Sequence, residues 1–210
     1  MEFTIFQYLQ QIFSIAIVVM IALVSPGPDF AVVVRNSLIY SRRTGIISAF
    51  GIAVGTFIHV SYTLLGLGLI ITESTWLLLW IKYCGAGYLL YIGLKGILAK
   101  KSSFSLDGMQ DINDISILQA FASGFFTCLL NPKAILFFIS FLSVMIDPST
   151  PKLIMLAYGI TIFIETFTWF GFVAFFLSGK RIREKFYATS HWIERITGFI
   201  LIALSLKLLL

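Results

Sequence analysis

The chain has 210 residues, of which 59% are hydrophobic, only 12% are charged and 21 are Phe. Soluble domains are about 45–50% apolar and about 25% charged, so this composition excludes an ordinary soluble protein. It predicts an all-α integral membrane protein built as a single domain. The net charge of +5 does not indicate a nucleic-acid partner, because basic residues of membrane proteins gather in cytoplasmic loops.

Six apolar runs are long enough to cross a lipid bilayer, which takes about 20 helical residues. The first and fourth runs are interrupted near their middles, by "SPGPD" and by "NPK". A polar stretch separates the third run from the fourth, so the prediction is a repeat at 1–98, a loop at 99–116 and a second repeat at 117–210. The predicted spans cover residues 12–40, 44–71, 75–98, 117–146, 153–178 and 192–210.

Basic residues are unevenly distributed among the loops. The loops after the first, third and fifth spans carry eight Lys and Arg, whereas the remaining loops and the termini outside the spans carry only Lys152. Because loops rich in Lys and Arg stay in the cytoplasm, both termini are predicted to be periplasmic. The eight residues are Arg42, Arg43, Lys100, Lys101, Lys180, Arg181, Arg183 and Lys185.

The two halves of the chain resemble each other. The stretch 80–98 can be laid over 192–210 without a gap, and six of 19 positions are identical, including the Trp-Ile pair and one Lys. The breaks also correspond, since each places Ser or Asn before a proline. A duplicated unit of three spans must insert in opposite orientations, which predicts the inverted repeat of secondary transporters, whose sites lie on broken helices.

Each break is predicted to start a new half-helix inside the membrane. Ser25-Pro26 and Asn131-Pro132 both match an N-cap residue followed by proline at the first helical position. Gly27 and Pro28 complete the first break. The free N–H groups of a helix start favour an anion, and the carboxylate of an amino acid is the natural candidate. A simple proline kink is the alternative.

Two charged residues follow the prolines, Asp29 after Pro28 and Lys133 after Pro132. A charge inside a bilayer is costly and is usually paired or functional. One hypothesis is that Asp29 and Lys133 only neutralise each other. The other is that Asp29 binds a substrate ammonium or a proton while Lys133 gates or balances it.

Two further polar residues lie inside apolar spans. Glu165 is an isolated acid in the fifth span, and its alternative roles are proton carrier, ligand for a substrate amine, or structural partner of His59 or Lys82. His59 shares a helix face with Gly51 and Gly55. The glycines predict close helix packing, and His59 is either a proton relay or a hydrogen-bonded packing residue.

The stretch "SPGPDFAVVVRNSLIYSRRTGIISAFGIAVGTFIHV" resembles the first signature of the lysine exporter family (LysE/RhtB), in particular the homoserine- and threonine-resistance type. "FASGFFTCLLNPKAILFF" resembles the second signature, and the resemblance extends over nearly the whole chain. The matching residues are Pro26, Gly27, Pro28, Asp29, Arg35, Asn36, Arg42, Gly45, Gly51, Gly55, His59, Gly124, Asn131, Pro132 and Lys133.

The resemblance implies export of amino acids across the bacterial inner membrane, driven by proton antiport. It does not choose among the family's substrates, which include lysine, arginine, threonine, homoserine, leucine and cysteine. No enzymatic activity, cofactor or metal is expected, and the partners are the substrate, protons and the lipid bilayer. A homo-oligomer is left open.

Two other functions remain as alternatives. A membrane thiol-electron carrier of related architecture requires a cysteine beside each proline break. Cys128 lies four residues before Pro132, but the first span has no cysteine and Cys84 lies in the third. A metal-cation exporter would use Asp29, Glu165 and His59, which lack a paired ligand motif.

Overall fold

The computed structural model describes residues 5–73, 75–99, 114–147, 149–176 and 180–209, and some of these, among them 67–73 and 180–188, by their backbone alone. Within these ranges the chain forms eight α-helices and no strand, which confirms the all-α class. The helices are α1 (Ile5–Val24), α2 (Pro28–Ile39), α3 (Arg42–Glu73), α4 (Thr75–Ile97), α5 (Ile117–Leu129), α6 (Pro132–Met145), α7 (Lys152–Phe176) and α8 (Lys180–Leu209).

The helices follow the predicted spans, with the first span divided into α1 and α2 and the fourth into α5 and α6. Three described helices are long and apolar enough to cross a membrane: Ile5–Val24, Arg42–Gly66 and Lys152–Phe176. A fourth crossing is obtained if α5 and α6, which are bent by 56° relative to each other, form one broken span. The six-span inverted repeat therefore stays a prediction.

The last helix is longer than the predicted sixth span. It begins at Lys180 rather than at residue 192, so Glu194 lies well inside the helix instead of near its start. Residues 100–113, which include the predicted cytoplasmic residues Lys100 and Lys101, lie outside the described residues.

The first break starts a helix later than the sequence predicted. The N-cap of α2 is Gly27, in an extended conformation with φ −168° and ψ −173°, and Pro28 is the first helical residue. The prediction that Ser25 caps a helix starting at Pro26 is wrong. The physical reason is that the residue before a proline is driven into the extended region, so Gly27 cannot continue a helix into Pro28.

The second break follows the prediction. Asn131 is the N-cap of α6, its side-chain oxygen accepts a hydrogen bond from the Lys133 backbone N–H at 3.0 Å, and Pro132 occupies the first helical position. Proline suits that position because its missing N–H would have no helical partner there. Each break therefore starts a new helix partway along its predicted span.

The helices form a bundle and a separate pair. α3 is the central helix, and it packs against α2, α5, α6 and α7, while α1 packs against α7. α4 and α8 pack mainly against each other, and α4 also contacts α6. The pair therefore meets the bundle through α6, through α3 and, more weakly, through α1.

Glycines allow the closest of these contacts. A Cβ atom at Gly51 would lie 2.3 Å from the carbonyl oxygen of Phe121, and one at Gly124 would lie 1.9 Å from that of Ser48. These positions confirm that the glycines of the second span serve close packing, here of α3 against α5. In the α4–α8 pair, a Cβ at Gly198 would lie 2.4 Å from the carbonyl oxygen of Gly93.

Candidate functional site

The two breaks are joined by the side chain of Lys133. Its Nζ donates to Ser25 Oγ at 2.9 Å, to the Ser25 carbonyl oxygen at 3.4 Å and to the Pro26 carbonyl oxygen at 3.5 Å. A further carbonyl before the break, that of Leu23, accepts from Trp169 Nε1 at 3.2 Å. Carbonyl groups at the end of a helix lack helical partners and must find donors within a membrane protein, and these two side chains supply them.

Asp29 lies in the first turn of α2, beside the start of α6. The side chains of Asn131 and Cys128 lie next to its carboxylate, and Lys133 is close enough to attract it electrostatically. The ammonium of Lys133 is hydrogen-bonded to Ser25 and Pro26 rather than to Asp29. Asp29 Oδ1 is buried and has no hydrogen-bond partner among the described residues. One carboxylate oxygen therefore remains available for a ligand.

A cavity of about 50 Å³ lies where the two breaks meet. Its polar wall contains both charged side chains, and its apolar wall is aromatic. A water molecule needs about 10–15 Å³ of such space, so the cavity has room for a few waters in this conformation. The polar lining is Ser25, Asp29, Thr56, Asn131 and Lys133, and the aromatic lining is Phe30, Phe137, Phe138 and Phe170.

A larger crevice, of about 500 Å³, lies on the other side of the breaks and is closed by α4 and α8. It shares Ser25, Gly27, Asn131 and Lys133 with the small cavity, so Lys133 lines both. Its remaining wall includes Tyr88, Lys95 and Glu194. Sequence reasoning assigned no site role to these three residues. Lys95 and Glu194 lie near the ends of predicted spans, where a charge is ordinary, and Tyr88 lies inside the third span, where an aromatic residue is ordinary.

The structure brings eight of the ten predicted site residues together and leaves two elsewhere. The eight are Ser25, Pro26, Gly27, Pro28, Asp29, Asn131, Pro132 and Lys133, all of which line one or both spaces. His59 and Glu165 line neither of them, as far as the described residues define these spaces.

His59 is buried between helices, and both of its ring nitrogens have partners. Nε2 lies 3.0 Å from the Cys128 carbonyl oxygen, and Nδ1 lies 2.9 Å from the hydroxyl of Tyr62. The carbonyl of Cys128 belongs to the last turn of α5, just before the second break. His59 thus fixes the end of α5 against α3, which is the arrangement of a hydrogen-bonded packing residue.

Glu165 lies in the middle of α7 with its Oε2 buried, and that oxygen has no hydrogen-bond partner in the described part of the chain. Its proposed partner His59 is bonded to other groups, and the side chain of Lys82 lies outside the described residues. A buried carboxylate oxygen without a protein partner is unusual and keeps Glu165 a candidate for carrying a proton or binding a cation.

Asn36, one of the residues that match the first family signature, has a structural role. It is buried, and its Nδ2 donates to Ser48 Oγ at 2.9 Å and to Ser123 Oγ at 3.1 Å. It therefore ties α2 to α3 and α5, and it holds the half-helix that carries Asp29.

The residues named by the alternative functions are dispersed. Within the described ranges, no group of three or more His, Cys, Asp and Glu side chains lies close enough to hold a metal ion. Both cysteines are free: Cys84 is exposed on α4, whereas Cys128 is buried with its Sγ 3.4 Å from Thr56 Oγ1.

Comparison with known proteins gives consistent matches along most of the chain. The family described as "LysE type translocator" matches residues 20–210. The threonine efflux protein of Salmonella typhi is 30% identical over 204 residues, which cover 94% of this chain and 97% of that protein. The threonine efflux protein of Escherichia coli is 30% identical over 200 residues, covering 94% and 96%.

A third relative, the leucine efflux protein of Salmonella choleraesuis, is 31% identical over 126 residues, which cover 60% of this chain and 58% of that protein. No solved structure matches the chain closely enough to support a comparison.

Proposed function

The chain belongs to the family of LysE type translocators, and from that premise we propose that it is a secondary active transporter. It exports amino acids or closely related small zwitterions across the inner membrane of a bacterium. The names of its relatives support this substrate class, because they are efflux proteins for threonine and for leucine.

One observation carries the proposal: a single cavity is lined by Asp29 and by Lys133, which are not hydrogen-bonded to each other. An amino acid has an ammonium and a carboxylate on one carbon and therefore needs an acid and a base on facing walls. The free Oδ1 of Asp29 receives the ammonium. Lys133 and the positive end of the α6 helix dipole receive the carboxylate.

The side chain of the substrate faces the aromatic wall, which includes Phe137 and Phe170. Ligand sites are typically apolar with a few well-placed polar groups. The cavity at about 50 Å³ is small for an amino acid, so this conformation corresponds to a contracted site that expands when substrate enters.

Alternating access follows from the predicted inverted repeat. In that scheme α3 and α7 are corresponding spans, as are α4 and α8, and each pair packs together. Rocking one repeat against the other would expose the cavity to each side in turn. The predicted orientation, with both termini in the periplasm and the loop 99–116 in the cytoplasm, makes the cytoplasmic opening the loading side.

Proton antiport is the proposed source of energy. Glu165 is the candidate coupling residue, because it is a membrane-embedded acid with a buried oxygen that lacks a partner among the described residues. Such residues mark proton pathways in transporters. His59 is a weaker candidate, since both of its nitrogens are occupied.

The experiment that tests the function is export from intact cells. Cells that express the chain and an empty-vector strain are preloaded with a panel of labelled amino acids, and efflux is followed with and without a proton uncoupler. The proposal predicts faster efflux of at least one amino acid and a loss of that advantage with the uncoupler. If the expressing cells release every amino acid at the empty-vector rate, the proposal fails. If the expressing cells export faster and the uncoupler does not remove that advantage, only the proposed proton antiport fails.

A further inference from the structure

We propose that the crevice between the α4–α8 pair and the two breaks is a second binding site for the transported zwitterion. Glu194 binds its ammonium group there, and Lys95 binds its carboxylate. This inference rests on the proposed function and adds to it a loading site that precedes the small cavity.

Four charged residues of alternating sign connect the two spaces. Asp29 lines the small cavity, Lys133 lines both, and Glu194 and Lys95 line the crevice. Lys133 is attracted to Asp29 and to Glu194 and is repelled by Lys95, and Glu194 is attracted to Lys95 and to His191. Within the described part of the chain no two of the four are joined by a hydrogen bond, and Lys133 is instead bonded to Ser25. The four charged groups therefore influence one another electrostatically, but in the described structure none of them is hydrogen-bonded to another.

The crevice has the size and the walls that an amino acid needs. Its volume of about 500 Å³ lies in the usual range of small-molecule sites, about 300–1,000 Å³. Tyr88 and Tyr91 form an aromatic part of its wall, with ring centroids 6.3 Å apart, and the hydroxyl of Tyr88 points to the Pro132 carbonyl oxygen at 3.4 Å. The tyrosines offer a surface for the substrate side chain next to the charged groups.

The alternation of charge gives a path from the crevice to the cavity. A zwitterion that leaves Glu194 and Lys95 meets Lys133 and Asp29 next, so its ammonium passes from one acid to another and its carboxylate from one lysine to another. An unpaired charge in a low-dielectric interior is costly, and this path avoids it. The transfer requires the carboxylate to replace Ser25 Oγ as a partner of Lys133.

The position of Lys95 indicates from which side of the membrane an amino acid reaches the crevice. Lys95 lies in the last turn of α4, the end that the predicted orientation places at the cytoplasm. The crevice is then the site that an exported amino acid reaches first.

The test uses the purified full chain in proteoliposomes, with labelled L-threonine as substrate and L-leucine in a parallel series. The variants are Glu194→Gln and Lys95→Gln, and Lys152→Gln is the matched control. Lys152 is an exposed lysine at the start of α7, and it lines neither the cavity nor the crevice as the described residues define them. Removing one charge-assisted contact should raise the KM roughly tenfold or more while the maximal rate changes little. Lys152→Gln should leave both quantities at the wild-type values.

A second measurement does not depend on transport. In a Cys84→Ser background, Tyr91→Cys introduces an exposed thiol on the crevice wall, and its modification by a maleimide is timed with and without L-threonine or L-leucine. Protection by the amino acid should persist when Asp29→Asn disables the cavity and should disappear with Glu194→Gln.

The outcomes separate the two proposals. If the wild type transports neither amino acid and binds neither, the proposed function fails for these substrates and the crevice site fails with it. If the wild type transports, the crevice site alone is overturned by two results together: an unchanged KM in Glu194→Gln, and no amino-acid protection of position 91 when Glu194 is intact.

Discussion

Lys133 Nζ donates a hydrogen bond of 2.9 Å to Ser25 Oγ, across 108 residues of sequence. The contact joins the first helix break to the second, so the two interruptions form one structural unit. It also explains how a lysine is retained inside an apolar bundle, because its ammonium replaces the helical partners that the Ser25 and Pro26 carbonyls lack. The same ammonium lines both spaces beside the breaks.

Replacing Ser25 by Ala should weaken this junction. A hydrogen bond to a charged group contributes about 1.5–3 kcal/mol, so Ser25→Ala should lower the free energy of unfolding by an amount of that order and slow transport. Ser14→Ala is the control, since Ser14 is exposed and bonds only the Gln10 carbonyl of its own helix. Denaturant titration of the purified proteins measures the difference. Equal stability of the two variants would show that the Lys133–Ser25 contact is energetically unimportant.

Asp29→Asn and Glu165→Gln should reduce export without unfolding the protein. Each removes a carboxylate that has a buried oxygen with no partner in the described structure, so little native hydrogen bonding is lost. Efflux from preloaded cells should fall roughly tenfold or more, as expected for a lost charge-assisted contact. Asp147→Asn serves as the control because Asp147 is exposed and binds only Ser149 locally. Wild-type efflux in both variants would remove the site assignment.

Gly124→Ala should destabilise the contact between α3 and α5. The added Cβ would lie 1.9 Å from the Ser48 carbonyl oxygen, and overpacking typically costs about 1–3 kcal/mol. Gly171→Ala, in α7, is the matched control, because a Cβ there meets nothing within 4 Å and alanine favours helix. Thermal unfolding in detergent should show a lower midpoint for Gly124→Ala only. Similar midpoints for the two variants would contradict the close packing.

His59→Gln should affect stability more than proton coupling. Both ring nitrogens have partners in the Cys128 carbonyl and the Tyr62 hydroxyl, and glutamine can retain at most part of that arrangement. We expect a lower unfolding midpoint and a transport rate whose dependence on pH keeps its wild-type shape. A pH profile that flattens in this variant would instead assign His59 to the proton path.

Asp114, at the end of the loop before α5, should stabilise the fold at every pH above about 4. It accepts hydrogen bonds from Ser41 Oγ, at 2.6 Å, and from Thr44 Oγ1, which hold the pKa of its carboxyl below the ordinary value of 3.8. Since the folded pKa is depressed, the contribution is present above 3.8 and is lost as the pH falls through the lower folded value.

The corresponding measurement compares the unfolding midpoints of wild type and Asp114→Asn. The wild type should be more stable at pH 7, and the gap should close only below pH 3.8. A gap that is absent at pH 7 would mean that the contacts of Asp114 with Ser41 and Thr44 do not anchor the loop.

The sequence predicted the helical class and the two interrupted helices because proline has a definite physical effect on a helix. It selected the wrong proline of "SPGP" as the start of the new helix. Pro26 and Pro28 both suit a first helical position, and the choice depends on Gly27 being extended. At "NPK" there is one proline and one cap residue, so Asn131 was identified correctly.

The crevice residues could not be found in the same way. The predicted sixth span begins at residue 192, after a basic run predicted to be a loop, so Glu194 lies at its edge, where an acid is unremarkable. α8 begins at Lys180, and a helix that extends beyond the apolar run gives no hydrophobic signal there. Glu194 and Lys133 line the same crevice because helices far apart in the chain pack together, and local sequence patterns do not encode that packing.

The most direct test of the central claim, that the junction of the two breaks binds and moves amino acids, is counterflow with the purified chain. Proteoliposomes loaded with unlabelled L-threonine, or with each amino acid of a panel, are diluted into a trace of the same labelled compound. The account predicts transient accumulation of label for at least one amino acid by the wild type, and its loss in Asp29→Asn. Accumulation no greater than in protein-free liposomes for every amino acid would contradict it.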